Sequence, residues 1–109
     1  MAELRKIEAN KRCFDCGERG TTYVVAEVGI FVCSVCAGLH REFNHRAKGL
    51  STSIFKQPEV ESLKSKGNEW AAKVWLGRYN PRDFPAPSPK DTFRVKEFMR
   101  LKYKDKRFY

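Results

Sequence analysis

Four cysteines set the chemistry open to this chain. They fall in two close pairs, Cys13 with Cys16 and Cys33 with Cys36, and sixteen residues from Gly17 to Val32 separate the pairs. A two-residue spacer lets both thiolates of one knuckle reach a single ion, and the intervening length suffices for a hairpin that returns the second pair to the first. The pattern C-x2-C-x16-C-x2-C therefore points to one structural zinc ion. Four thiolates complete a tetrahedron and leave no open position for a substrate or an activated water, so the zinc is structural and not catalytic. Zinc contributes about 10–16 kcal/mol in peptides of this kind, comparable with a whole domain's net stability. His40 lies four residues after Cys36, on the same helix face, and reads as a packed histidine beside a completed shell. His45 sits in a basic loop and reads as solvated.

The elements that must position these groups follow from local pattern. Residues Ala2 to Arg12 read as a short helix leading into the first pair. Gly17 suits a positive φ at the end of the first knuckle. Thr21 to Val28 is rich in β-branched residues and reads as a strand, which Gly29 breaks; Ile30 to Val32 reads as a second strand. Ser34 is a plausible N-cap for a helix with Val35, Leu39 and Phe43 inward. Asn44 to Gly49 reads as a loop, and Leu50 to Ile54 as a third strand. Pro58 opens the next helix and Gly67 ends it; Asn68 then caps a helix with Trp70, Val74 and Trp75 inward. Residues Asn80 to Pro89 hold four prolines and read as an extended connector. Ser88 to Asp91 fits a capping pattern for a last helix, with Val95, Phe98, Met99 and Tyr103 on one face.

One domain accounts for 109 residues, with a zinc module over about 11–45 and a helical part over about 57–109. The 14 aromatic residues argue against disorder. Lys and Arg number 22 against 13 acids, a net charge of +9 that favours an anionic partner: nucleic acid, anionic membrane, a nucleotide or an acidic protein surface. Residues 90 to 109 carry eight basic groups, Lys102 among them, against three acids, a basic stripe on the last helix that either faces solvent or contacts an anionic membrane or an acidic partner. No apolar segment near the N-terminus resembles a signal peptide, so the expected setting is the cytoplasm, where cysteines stay reduced. Membrane association or nuclear shuttling stays open for a longer parent protein. No heptad stretch argues for a coiled coil, and a monomer is expected.

Further residues sharpen the picture. Gly29-Ile30-Phe31-Val32-Cys33 and Cys36-Ala37-Gly38-Leu39-His40-Arg41 extend the cysteine pattern to C-x2-C-x16-C-x2-C-x4-R. That signature resembles the zinc-finger domain of Arf GTPase-activating proteins. The stretches Cys13-Phe14-Asp15-Cys16, Arg19 to Val24, Gly67-Asn68-Glu69, Trp75-Leu76-Gly77, Val95 to Phe98 and Lys106 to Tyr109 resemble its FG-repeat-containing branch. The resemblance covers roughly residues 5 to 109. It implies an α+β fold, a three-stranded sheet beside the zinc knuckle surrounded by about five helices. It implies acceleration of GTP hydrolysis by Arf-family small GTPases, a regulator's role rather than turnover of its own substrate.

In that family the residue at Arg41 is an arginine finger. An always-charged planar guanidinium can neutralise negative charge that develops on phosphate oxygens. Arg41 lies five residues after Cys36, about 140° around a helix from it, and so projects away from the metal. Tyr23 stands where most members carry Trp next to the arginine. Lys48 stands where they carry a supporting arginine. Tyr23, Ile30 and Lys48 are the expected partner contacts. Two other functions fit the residues: a zinc-built adaptor that binds a GTPase or trafficking partner without accelerating hydrolysis, and a nucleic-acid-binding zinc finger. The second is disfavoured because the cations are spread along the chain rather than set on one recognition helix.

Overall fold

The computed structural model describes residues 2–82 and 84–109. Between the cysteine pairs the chain forms the hairpin that its length allows. Strand β1 (Tyr23–Val25) runs antiparallel to β2 (Ile30–Val32), with Tyr23 opposite Val32 and Val25 opposite Ile30. Strand β3 (Ala47–Gly49) pairs with the other edge of β1, giving the order β2-β1-β3. Helix α1 (Ala2–Arg5) and a 3-10 turn (Glu8–Lys11) precede the sheet. Helix α2 (Ser34–Glu42) follows the second cysteine pair; α3 (Gln57–Lys64), α4 (Asn68–Trp75) and α5 (Thr92–Met99) complete the helical part. The described residues thus hold the three-stranded sheet and five helices expected. No helix among the described residues is long and apolar enough to cross a membrane.

Both faces of the sheet are covered, which is why its strands read as apolar runs rather than alternations. Val25, Ile30 and Val32 face one side, with Cys36, Ala71 and Met99. Val24 and Phe31 face the other, with Leu4, Leu50 and Leu63. Ile30 is 0% exposed. It is a core residue and has no surface to give a partner, which corrects its assignment as a contact. A third apolar cluster joins Phe84, Phe98, Leu101 and Phe108, so the chain's end folds back onto the helices.

The first strand is shorter than its β-branched run suggested. The Gly29 amide closes on the Val25 carbonyl at 2.8 Å, which pulls Ala26 to Gly29 into a turn and buries Val28 there. Gly29 has φ +78°, and a Cβ on it would lie 2.6 Å from the Lys66 side chain. The third strand comes earlier than expected. Ser53 donates to the Gly49 carbonyl at 3.2 Å, so the hydroxyl-rich 51–53 segment turns, while the polar Ala47-Lys48-Gly49 forms the edge. Lysine on an edge strand discourages pairing with other chains.

Helix faces and caps also needed structure to settle. The buried side of α2 is Cys36, Ala37, Leu39 and His40; Val35, expected inside, is 57% exposed. Asp91, not Ser88, caps α5, its carboxylate accepting from the Arg94 amide at 3.1 Å. The 80–89 connector has no helix or strand among its described residues. Trp70, Val74 and Trp75 are only half-buried, while Ala71 is the fully buried residue of α4.

Asn68 is the first residue of α4 rather than its cap, and Gly67 holds the cap position. The Asn68 amide group joins three segments. Its Oδ1 accepts from the Phe31 amide at 2.7 Å, and its Nδ2 donates to the carbonyls of Ala9, Arg12 and Phe31 at 3.0, 2.8 and 3.1 Å. Its own backbone amide donates to Asn10 Oδ1 at 2.9 Å. Asn68→Ala is expected to cost about 2–3 kcal/mol, because it strands a buried β2 amide. Asn68→Asp should cost more, since a carboxylate would face three carbonyls. Urea unfolding of the zinc-loaded protein reads both; an aspartate variant as stable as the alanine one would contradict this account.

Candidate functional site

The two cysteine pairs converge. Their sulfurs lie within 4.8 Å of one another, with Cys16 Sγ and Cys33 Sγ 3.7 Å apart. A tetrahedron with bonds of about 2.3 Å from zinc to sulfur has edges near 3.8 Å. The donor set and its spacing therefore fit one zinc ion held by Cys13, Cys16, Cys33 and Cys36. Gly17, at φ +77°, lets its amide return to the Cys13 carbonyl at 2.9 Å and closes the first knuckle. The second knuckle is a helix start: Cys33, rather than Ser34, is the N-cap of α2, and its sulfur accepts from the Cys36 amide at 3.5 Å. Cys13 and Cys36 are buried, while Cys16 and Cys33 are half-buried.

Behind the first knuckle is a buried polar cluster. Asp15, between the two ligands of the first pair, accepts from Lys102 Nζ and from the Tyr103 hydroxyl (2.6 Å) through Oδ1, and pairs with His40 Nε2 (2.6 Å) through Oδ2. Burial by itself would raise the Asp15 carboxyl pKa, but Lys102 and His40 outweigh it and hold the group well below the usual carboxylate range. Burial, with Asp15 nearby, pushes the Tyr103 phenol well up. His40 is thus the packed histidine expected beside the site. His45 is not a solvated loop residue: it is half-buried, its Nδ1 is 3.0 Å from His40 Nδ1, and its ring is 5.9 Å from that of Tyr103.

Lys102 lay among the cations assigned to a solvent-facing stripe. It is instead 0% exposed, with its ammonium 4.7 Å from the Phe14 ring and 4.5 Å from that of Phe98. Residues Arg100–Lys104 form a turn of π-helix after α5. The adjacent Lys102 and Tyr103 both reach Asp15 from that turn. Lys102→Met should cost about 3–5 kcal/mol, because it leaves Asp15 buried without its main counter-charge. Asp15→Asn in the same chain should recover part of that loss. Denaturant melts at fixed excess zinc give the double-mutant cycle; additive losses would mean the pair is not coupled.

Arg41 lies in the last turn of α2, with its side chain exposed and its guanidinium 5.5 Å from the centre of the Tyr23 ring. Glu42, the neighbouring acid, is occupied by Lys96 at 2.8 Å. The structure thus brings Arg41 and Tyr23 together. Lys48 does not join them. It pairs with Val24 across β1 and β3, whereas Tyr23 pairs with Gly49, so Lys48 and Tyr23 point to opposite faces of the sheet. Lys48 binds Glu59 at 2.8 Å and the Ile54 carbonyl at 2.9 Å, and so fixes the 50–56 loop to α3.

Comparison with known proteins decides the family. The ArfGap model, described as "Putative GTPase activating protein for Arf", matches residues 1–109. The chain belongs to the ArfGap family. Human Arf-GAP domain and FG repeat-containing protein 2 is 47% identical over 102 residues, 92% of this chain and 21% of that protein. Human Arf-GAP domain and FG repeat-containing protein 1 is 41% identical over the whole chain and 20% of its own length. The chain thus spans about a fifth of the curated relatives it matches. Among solved structures, the ArfGap domain of human RIP superposes with a TM-score of 0.92 at 42% identity, covering 98% of this chain and 81% of that one. The ArfGap domain of HIV-1 Rev binding protein gives 0.90 at 42% identity, covering 99% and 83%.

Within this ArfGap domain, sequence reasoning placed Tyr103 on a buried face but missed its polar cluster with Asp15 and Lys102. One signal was present: Lys102 continues the Val95–Phe98–Met99 stripe at helical spacing, so a cation falls on a buried face and needs a buried acid.

Proposed function

We propose that this ArfGap domain accelerates GTP hydrolysis by an Arf-family small GTPase, with Arg41 as an arginine supplied in trans. The observation that carries the reading is the placement of Arg41. It is exposed, rests over Tyr23, and projects from a helix whose first turn is held by two zinc ligands. A rigid mount matters because misplacement of a charge by an ångström costs much of its effect. The nucleotide, its Mg²⁺ and the attacking water belong to the GTPase. This domain supplies the guanidinium, whose fork can bond oxygens of the transferring phosphoryl group as their charge grows.

Tyr23 serves as a stacking platform that limits the conformations Arg41 visits. Lys48 acts on the loop before α3 and supplies no second cation beside Arg41. That placement favours an adaptor as the second reading, in which the domain binds a GTPase with little acceleration. Membrane contact through the C-terminal segment draws on fewer cations than its composition offered. Lys102 is buried, Lys96 pairs with Glu42, and Arg100 pairs with Glu97 and Asp105. We place the domain in the cytoplasm as a monomer.

Single-turnover GTP hydrolysis by a panel of vesicle-bound Arf-family GTPases tests the proposal. Acceleration by the zinc-loaded domain supports it. Binding to one of them with no acceleration of any selects the adaptor.

A further inference from the structure

A cleft of about 260 Å³ opens where three segments of the chain meet. Each segment brings one cation: Arg5 from α1, Lys11 from the 3-10 turn, and Arg19 from the stretch that leads into β1, where Gly20 and Thr21 complete the lining. The segments are tied together through one residue. Asn10, 3% exposed, donates from Nδ2 to the Leu4 carbonyl at 3.0 Å, and its own carbonyl accepts from the Thr21 hydroxyl at 2.6 Å. The Gly20 amide donates to the Lys11 carbonyl at 3.0 Å. The neighbours of all three cations are thus bonded to one another, so the positive charges are held around the cleft before any ligand arrives. Like charges gathered at one concavity repel each other, and a bound anion relieves that repulsion.

The protein itself neutralises little of this charge. Arg5 is exposed and pairs with no acid among the described residues. Glu8 is 3.3 Å from Lys11 Nζ and 3.9 Å from Arg19 Nη2, but its side chain is 74% exposed, so water screens both pairs. Glu8 is not part of the lining. The lining also selects the anion. Two guanidinium forks and an ammonium match phosphate oxygens. No aromatic or aliphatic side chain lines the cleft among the described residues, so a nucleobase has nothing to stack on and an acyl chain nothing to pack against. Small-molecule sites typically hold about 300–1,000 Å³, and this cleft lies just below that range, roomier than a single phosphate needs. Gly20 has φ +101°, and a Cβ there would meet nothing within 4 Å, so the backbone side of the cleft is open.

We infer that this cleft binds a small polyol carrying more than one phosphate group, the chemistry shared by soluble inositol phosphates and by phosphoinositide headgroups. The inference is independent of the GTPase reading. Arg5 and Arg19 reach different phosphates from opposite walls, each through its fork, and Lys11 adds a point charge between them. The Thr21 hydroxyl is committed to Asn10, so it serves the wall and not the ligand. Glu8 opposes binding, because its carboxylate competes with the ligand for Lys11 and Arg19. The lining segment runs directly into β1, so an occupied cleft lies two residues along the chain from Tyr23, the platform under Arg41.

The test titrates the zinc-loaded protein with inositol trisphosphate at physiological salt, by calorimetry and by amide NMR shifts. The expected result is one saturable site, with the largest shifts at Arg5, Lys11, Gly20 and Thr21. Arg5→Gln and Arg19→Gln should each weaken binding roughly tenfold, the loss of a charge-assisted contact. Glu8→Gln should tighten it several-fold, a gain that a damaged fold cannot imitate. Lys104→Gln removes the same single charge from an exposed residue at the other end of the chain and should leave the affinity within roughly twofold. No binding, shifts centred elsewhere, a Lys104→Gln loss equal to that of Arg5→Gln, or no gain in Glu8→Gln would each overturn the proposal. So would inorganic sulfate binding as tightly as the trisphosphate. Flotation on vesicles then separates the two sources. Binding of the soluble trisphosphate together with flotation on phosphatidylinositol bisphosphate, but not on phosphatidylserine of equal charge, supports the cleft as a headgroup site. Soluble binding without flotation supports it as a site for a free polyol phosphate. Equal flotation on both lipids without soluble binding would overturn it.

Discussion

Arg41→Lys is expected to remove nearly all acceleration of GTP hydrolysis while leaving the fold intact. An arginine supplied in trans is worth about 10³–10⁵ in rate. Lysine keeps the positive charge, so the experiment isolates the forked geometry of the guanidinium. Its exposed position and single aromatic neighbour mean that little packing is lost, and the unfolding midpoint should stay within roughly 0.5 kcal/mol of wild type. Tyr23→Ala should act more weakly. It removes a cation–π contact worth about 0.5–1 kcal/mol at an exposed site, a several-fold loss of rate. Full activity in Arg41→Lys would remove the finger from the mechanism, and a collapse of activity together with unfolding would leave the residue's role structural.

Stripping the zinc should unfold the chain altogether. The ion's contribution, about 10–16 kcal/mol, matches or exceeds the net stability of an ordinary domain, about 5–15 kcal/mol. The structure shows why no remnant should persist. Cys13 and Cys36 belong to the same apolar cluster as Val25, Ile30 and Val32, and Cys33 caps α2. Losing the metal leaves four thiols crowded at the edge of the sheet-facing core, two of them buried in it, and frees the helix that covers it. A strong chelator should abolish the near-ultraviolet dichroism of the Trp and Tyr residues. One equivalent of zinc should restore it. A chelated chain that still melts cooperatively would show the metal to be an accessory.

Metal ligands and family were legible in the sequence because both depend on short-range spacing. The two cysteine knuckles are fixed by three-residue intervals, and each forms where its residues lie. Helix phase was harder. Val35, Leu39 and Phe43 look like one stripe, yet α2 is turned so that Cys36 and His40 face inward and Val35 faces out. The ligands, and not apolar periodicity, set that rotation. The third strand was misplaced because 47–49 carries no β-branched residue; its partner β1 makes it a strand. Long-range polar partners left the least trace. Asn68 reads as a helix cap, and Asn10 carries no signal, until the fold places one against the other.

The ion pair of Asp15 with Lys102 spans 87 residues of chain. During synthesis the four cysteines have all emerged once residue 36 is out, so the knuckles can capture metal early. The carboxylate of Asp15 then has to wait for the π-turn at the far end of the domain, several seconds later at roughly 5–20 residues per second. Until then its charge is supported by His40 and by water. A nascent chain would therefore carry a metallated but loosely closed module, and the turn that closes this domain would complete the first site formed.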